Sequence, residues 1–242
     1  MTNNLNDLKM LVFDIDDTLC DINSSISNSL ARVILELSNY CQIVFASGKP
    51  SAYIAGFVRQ IGIKNSIIIG ENGATIMYGS TFPPKEFYKV NVPKEVNKYL
   101  KIIRKDFLKQ FDNRIWFQPN DVNLTIFPIN NLDIKEIHNF SKKYESTLIN
   151  TYYHSDSIDY TPKGFDKGNA VSILLNKINI RKSNLYVFGN GSNDLSMLRL
   201  TNKNFLIKSN MKDIKPFASF DSYSNLEEYL NILLKEVTKY DK

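Results

Sequence analysis

The sequence predicts an α/β protein: a parallel, doubly wound sheet with a smaller α+β unit inserted near its middle. Three observations carry this. Apolar runs alternate with amphipathic stretches at both ends of the 242-residue chain, the pattern of strand–helix–strand units. The middle changes to strand-rich patterning broken by two amphipathic helices. Proline and glycine mark both transitions, in "TFPPK" and "YTPKG".

The elements follow in order. Lys9–Asp14 reads as a buried strand. Ser25–Leu37 reads as a helix, because Ile26, Leu30, Val33, Ile34 and Leu37 share one face. "QIVFAS" is a second strand, Ser51–Ile61 a second helix and "SIIIG" a third strand. After the middle section, Lys167–Asn176 is helical, "NLYVFG" is a strand and Asp194–Leu200 opens another helix. "NFLIK" is a strand, and Leu226–Val237 closes the chain as a helix. In the middle, "FYKVNV", "RIWFQ", "NLTIFP" and "TLINTYYHSDSIDYTP" are strand-like, with helices near Glu95–Phe111 and Ile134–Tyr144. That order predicts a small antiparallel sheet with helices on one face. The expected division is residues 1–82 and 161–242 for the core and 83–160 for the insertion, a size split that suits the chain length.

Composition narrows the function. Hydrophobic residues make up 43% of the chain, enough for a sizeable core, and no segment approaches the apolar length of a membrane span. The opening "MTNNLNDLKM" lacks the basic and apolar regions of a signal peptide. The expectation is a soluble cytoplasmic protein with no membrane partner. Cys20 and Cys41 form neither a disulfide framework nor a metal-site spacing, and Cys41 reads as a small core residue opening a strand. Net charge is +5, but the lysines alternate with acids, as in "KEVNKYLKIIRKDF". This reads as a solvated, slightly basic surface, with attraction of anionic substrates as a milder functional reading and no nucleic-acid partner expected.

The first strand runs straight into Asp14, Asp16, Asp17 and Asp21. Adjacent carboxylates at the end of a buried strand repel and lose solvation, so a cation must compensate. Sites in parallel α/β sheets lie outside the carboxyl ends of the strands. Four polar clusters fall there: "DIDDT", "ASGK", Lys167–Gly168 and "GNGSND". They supply oxygen ligands for Mg²⁺, donors for phosphate oxygens and a nucleophile, the needs of phosphoryl chemistry.

Asp14-x-Asp16-x-Thr18, Ser47-Gly48, Lys167-Gly168 and Gly189-x-x-x-Asn193-Asp194 resemble the four motifs of the haloacid dehalogenase superfamily, in order and spacing. The long insertion resembles the type IIB caps of that superfamily, and "GENGA" just before it is similar to the same branch. The resemblance covers nearly the whole chain. It implies a Rossmannoid parallel-sheet core with an α+β cap of the C2B type. It also implies residue roles. Asp14 would attack phosphorus and form an aspartyl-phosphate. Asp16 would protonate the leaving oxygen and later activate water, a division needing two carboxylates in different environments. Thr18 would orient the loop and assist phosphate binding, with Ser47, Gly48 and Asn193. Lys167 would offset charge on Asp14 and the phosphoryl oxygens. Mg²⁺ would be held by Asp14, the carbonyl of Asp16, position 190 and Asp194, the last directly or through water.

One departure matters. Relatives usually carry aspartate after the glycine of the fourth motif; here it is Asn190. An amide oxygen still binds Mg²⁺, without the negative charge, so weaker metal affinity is expected. Lys49 stands where many relatives carry arginine.

The reading is a Mg²⁺-dependent phosphomonoester hydrolase acting on a small phosphorylated metabolite, such as a sugar phosphate or phosphoglycolate, as a monomer or homodimer. Its cap would exclude water and choose the substrate, with Arg114, Trp116, Gln118 and Tyr152 as candidates. Trp116 also reads as cap core. His138 fits surface or packing in a helical pattern, and His154 stays open. Other readings are a phosphomutase, which would retain the phosphoryl group, and a non-catalytic phosphate-binding protein, for which Asn190 argues. A receiver-type phospho-acceptor domain lacks the cap and the Asp-x-Asp-x-Thr loop.

Overall fold

The computed structural model describes residues 8–239; most of the opening segment read above as lacking a signal peptide lies outside them. Eight strands form the larger sheet. β1 (Lys9–Phe13), β2 (Cys41–Ala46), β3 (Ile67–Gly70), β10 (Leu185–Gly189), β11 (Asn204–Ile207) and β12 (Ala218–Phe220) are parallel, and β4 (Thr75–Tyr78) and β5 (Glu86–Lys89) run antiparallel at one edge. The order is β12-β11-β10-β1-β2-β3-β4-β5.

β1 shows why both faces are covered. Its side chains alternate between faces, and Met10 through Phe13 are all fully buried. Leu11 and Phe13 pack with α1 (Asn28–Leu37), α2 (Ser51–Ile61) and α7 (Tyr223–Thr238). Met10 and Val12 pack with α5 (Lys167–Lys177) and α6 (Leu195–Leu198) on the other side. β10, β1 and β2 are adjacent and parallel, so the chain following each emerges at one edge. Asp14, Ser47 and Asn190 therefore meet.

The smaller sheet is antiparallel in the order β6-β7-β9-β8, from β6 (Ile115–Phe117), β7 (Leu124–Pro128), β8 (Ile149–Tyr153) and β9 (Ile158–Pro162). α3 (Lys94–Phe111) and α4 (Ile134–Ser141) cover one face, burying Ile103, Phe107, Phe111, Ile126, Ile137, Ile158 and Tyr160 together. The opposite face carries Thr125, Tyr152 and Asp159 (Thr125 and Tyr152 are both cross-strand partners of Asp159) and turns toward the larger sheet.

Several elements differ from expectation. β4 was not anticipated, because "ATIMYG" is short and follows a glycine turn. The strand in "FYKVNV" pairs with β4 in the larger sheet, Ile76 opposite Tyr88. The strand-like run "TLINTYYHSDSIDYTP" is a hairpin of β8 and β9, turning at His154–Ser157 with the His154 N–H donating to the Ser157 carbonyl at 3.0 Å. The boundary positions 83 and 160 thus precede a larger-sheet strand and fall inside a smaller-sheet one. The first helix starts at Asn28, because the Ser27 hydroxyl caps it by accepting the Leu30 N–H at 3.2 Å. The last starts at Tyr223, capped by Ser222. Cys41 opens β2 and is buried, as read.

The helix-covered face under α7 is held by a ladder of rings. Phe13 and Phe188 stack at 4.7 Å, Phe188 and Phe205 at 4.6 Å, and Phe205 and Phe220 at 5.8 Å. Removing the Phe188 ring breaks the ladder where β10 adjoins β1. Phe188→Ala is expected to lower the unfolding free energy by about 3–5 kcal/mol, read from chemical denaturation. A loss under about 1 kcal/mol would mean that the strands hold without the ring contacts.

Candidate active site

Asp14 is the first residue beyond β1, pinned by its N–H donating to the Phe188 carbonyl at 2.9 Å. The residue is only 6% exposed, and its carboxylate is held on both oxygens. Lys167 Nζ donates to Oδ1 at 2.6 Å, and the Thr18 hydroxyl donates to Oδ2 at 2.9 Å. Lys167, at the first position of α5, is wholly buried and donates equally to Asp194 Oδ1 at 2.6 Å. Asp194 Oδ2 accepts the N–H groups of Asn190 at 2.9 Å and Gly191 at 3.0 Å. One ammonium therefore bridges two buried carboxylates.

The balance of charge shows in acidities. Burial, then the charge of Asp194, raise Asp14 above the usual carboxylate range, against the pull of Lys167. Burial opposes charge on Lys167, but Asp14 and Asp194 outweigh it and hold the ammonium protonated. Asp16 is also raised, by burial, with Lys49 and Lys167 opposing; Lys49 Nζ lies 3.8 Å from its Oδ2. The tight turn after Asp16 needs a left-handed Asp17, at φ 60°, a conformation that aspartate tolerates better than most residues.

The Lys-Gly pair owes its glycine to packing. A Cβ at Gly168 would lie 2.5 Å from the Ser196 carbonyl oxygen, so only glycine lets α5 approach closely enough to deliver Lys167. The "GENGA" loop is a second close approach. Glu71 and Asn72 are left-handed at φ 52° and 53°, and Gly73 at φ 101° has no room for a Cβ, which would meet the Asp166 carbonyl at 2.2 Å.

That loop ties the two sheets together. The Glu71 carboxylate accepts the N–H groups of Asp121, Val122 and Asn123 at 2.8–2.9 Å. Asn72 Nδ2 donates to Asp159 Oδ2 at 2.7 Å, and Asn193 Nδ2 donates to Asn72 Oδ1 at 3.1 Å. Gln118 Nε2 donates to the Gly48 carbonyl at 3.1 Å. A cavity lies between the sheets. Its larger-sheet wall includes Asp14, Asp16, Ser47, Gly48, Lys49, Asn190 and Asn193; its smaller-sheet wall includes Gln118, Thr125, Phe127, His154, Asp156 and Asp159.

The sequence profile of haloacid dehalogenase-like hydrolases matches residues 11–123 and 97–228, together most of the chain. The chain belongs to this family. A phosphoglycolate phosphatase of Thermoplasma volcanium is 26% identical over 91% of the chain and 95% of its own length. One of Methanospirillum hungatei is 21% identical over 89% and 90%. Among solved structures, a haloacid dehalogenase-like hydrolase from Bacteroides thetaiotaomicron has a TM-score of 0.74 at 17% identity, covering 93% of this chain and 99% of that one. The C-terminal domain of trehalose-6-phosphate phosphatase from C. albicans has a TM-score of 0.72 at 18% identity, covering 95% and 93%. The core sheet and the inserted α+β unit are those of a haloacid dehalogenase-like hydrolase, and the chain is an enzyme of that superfamily.

In this hydrolase, Asp14, Asp16, Ser47, Gly48, Asn190 and Asn193 reach the cavity wall. Thr18, Lys167 and Asp194 are fully buried behind it. Of the four cap candidates, Gln118 lines the cavity. Arg114 instead pairs with Asp133 and Glu136. Trp116 packs on Phe127 and is 50% exposed, so it is not cap core. Tyr152 shares the cavity-facing side of β8 with its partner Asp159 but does not line the cavity. His138 packs on Tyr153, in keeping with the packing reading, while His154 lines the cavity and faces Asp159 at 3.3 Å. Asp159, Asp156, Thr125, Phe127 and Asn72 were not anticipated. The alternation of Thr125 and Phe127 against Leu124 and Ile126 on β7 was the available signal, since it gives that strand a second, non-core face.

Lys167→Met removes the only ammonium that, among the described residues, touches Asp14 and Asp194, and leaves two buried carboxylates facing each other. Loss of about 3–5 kcal/mol of stability is expected, measured by denaturant unfolding. Asp194→Asn added to that variant should restore part of it by removing one of the charges. No recovery in the double variant would mean that the carboxylates are not coupled through Lys167.

Proposed function

We propose that this chain is a Mg²⁺-dependent phosphomonoester hydrolase working through an aspartyl-phosphate on Asp14, with the α+β unit as its cap. The observation that carries this is a buried carboxylate at a cavity floor, gripped by Lys167 and Thr18, with a second carboxylate, Asp16, two residues away in a different environment. The relatives that span nearly the whole chain are named as phosphatases, which supports the same reading.

The donors at the cavity floor fit a hard divalent cation. They are oxygen atoms: the Asp14 carboxylate, the Asp16 backbone carbonyl and the Asn190 side-chain amide. Burial, then the charge of Asp194, raise the Asp14 pKa despite Lys167, an imbalance that a bound cation would relieve. Asp194, wholly buried behind the cavity wall, fits the indirect of its two expected roles. Bound there, Mg²⁺ would offset phosphoryl charge and keep Asp14 ionised.

The residues divide the work. Asp14 attacks phosphorus as the bond from phosphorus to the ester oxygen breaks. Asp16, whose pKa is raised by burial so that it can hold a proton, gives that proton to the departing alkoxide. In the second half, Asp16 takes a proton from water as the water attacks the aspartyl-phosphate, releasing inorganic phosphate and the free Asp14 carboxylate. Lys167 holds Asp14 in place and offsets charge. Ser47, Gly48 and Asn193 line the phosphate end, where hydroxyl and N–H donors suit phosphoryl oxygens.

Asp14→Asn is expected to abolish phosphate release from a panel of small phosphate esters while the protein stays folded, and EDTA should do the same to the wild type. Turnover in the variant would remove Asp14 as nucleophile; undiminished turnover in EDTA would remove the metal.

Asn190→Asp returns a unit charge to the floor. Mg²⁺ affinity is expected to rise by about 5- to 150-fold, equivalent to roughly 1–3 kcal/mol, seen as a lower Mg²⁺ concentration for half-maximal activity. Unchanged or weaker affinity would place Asn190 outside the metal shell.

A further inference from the structure

The charged groups on the cap wall of the cavity are Asp156, Asp159 and His154. They are not equivalent. Asp159 is buried and accepts from Asn72 at 2.7 Å, from His154 at 3.3 Å and from the Thr125 hydroxyl. Its charge is matched inside the protein. Asp156 is half-buried at the tip of the β8–β9 hairpin, and its hydrogen bond comes from the Ser157 hydroxyl at 3.0 Å. Among the described residues no lysine, arginine or histidine forms an ion pair with it. Its charge reaches Asp16 across the cavity.

The turn that carries Asp156 is fixed. His154 N–H donates to the Ser157 carbonyl at 3.0 Å, and His138 Nε2 lies 3.1 Å from the same oxygen. Asp156 therefore stands at a defined place opposite the phosphate end. Neutral hydrogen-bonding groups on the same wall include Gln118, Ser155 and Ser157, and among the described residues no ammonium or guanidinium lines that wall.

We propose that Asp156 is a specificity-determining residue that accepts hydrogen bonds from hydroxyl groups of a polyhydroxylated leaving group and rejects a leaving group bearing a carboxylate. An ionised aspartate is an acceptor only, and hydroxyl groups are the donors it lacks. A carboxylate placed there would meet like charge with no lysine or arginine on the cap wall to offset it. The inference rests on the phosphomonoesterase reading. It also separates this chain from relatives named for phosphoglycolate, whose ester carries a carboxylate.

The test measures phosphate release by the full chain with Mg²⁺, from sorbitol 6-phosphate, phosphoglycolate and p-nitrophenyl phosphate. The wild type is expected to favour sorbitol 6-phosphate over phosphoglycolate in kcat/KM by about tenfold or more, the size of one charge-assisted hydrogen bond. Asp156→Asn should cut that ratio about tenfold, chiefly through KM. Asp156→Glu, which keeps the charge, should retain the preference for sorbitol 6-phosphate. Release from p-nitrophenyl phosphate with phosphoglycolate equal or better overturns this inference and leaves the phosphomonoesterase reading standing. A ratio that stays within about twofold in Asp156→Asn does the same. No release from any ester overturns both.

Discussion

The site depends on one ammonium. Lys167 lies between Asp14 and Asp194 with no exposed surface, 2.6 Å from each. Two carboxylates this deeply buried cannot both stay ionised without it, because desolvation and mutual repulsion push the same way. Its delivery constrains the fold. α5 must start at Lys167, and Asp166 supplies the cap by accepting the Asn169 N–H. Gly168 must lack a side chain where α5 meets Ser196. Asp194 must be oriented, and the Asn190 and Gly191 N–H groups do that. Loops after β1 and β10 and the start of α5 are thus locked to one another by charge as well as by the sheet.

A second constraint joins the core to the cap. Glu71 is a buried carboxylate in the larger sheet's loop, yet three N–H groups of the segment before β7 satisfy it. Burial raises its pKa while those donors lower it. The left-handed backbone of Glu71 and Asn72 aims the two side chains across the cleft, a conformation costly for residues other than glycine. The return is that the cap wall sits at a set distance from Asp14. The cavity is as much a product of this loop as of the four motif clusters.

The sheet interior was legible in the sequence because apolar runs bounded by turn residues have one good reading in an alternating α/β chain. Ser51–Ile61 and Lys9–Phe13 needed no tertiary information. The motif residues were legible for another reason: carboxylates at strand ends are costly, so their presence points to a site. Asp156 and Asp159 carried no such mark. Acids in a hairpin read as ordinary solvated residues until the sheet order places that hairpin over Asp14. β5 was misplaced because four exposed residues have no core face to declare which sheet they join. Glu71 was equally silent, since the donors that satisfy it lie about fifty residues away. Local pattern fixes elements, and contacts distant in sequence fix what a side chain is for.

The same distance in sequence gives the site a direction. Asp159 is held ionised, its burial outweighed by His154, Thr125 and Asn72. An ionised carboxylate only accepts, so Asn72 must present Nδ2 to it. That orientation leaves Asn72 Oδ1 facing the motif loop, where it can only accept. Asn193 must then offer its own Nδ2, as it does at 3.1 Å. The charge on a cap strand thereby fixes which way two amides point at the phosphate end. Without the charge, either amide could turn over at small cost, because a carboxylic acid both donates and accepts. The His154–Asp159 pair, remote from the nucleophile in sequence, is what makes the arrangement of Asn72 and Asn193 single-valued.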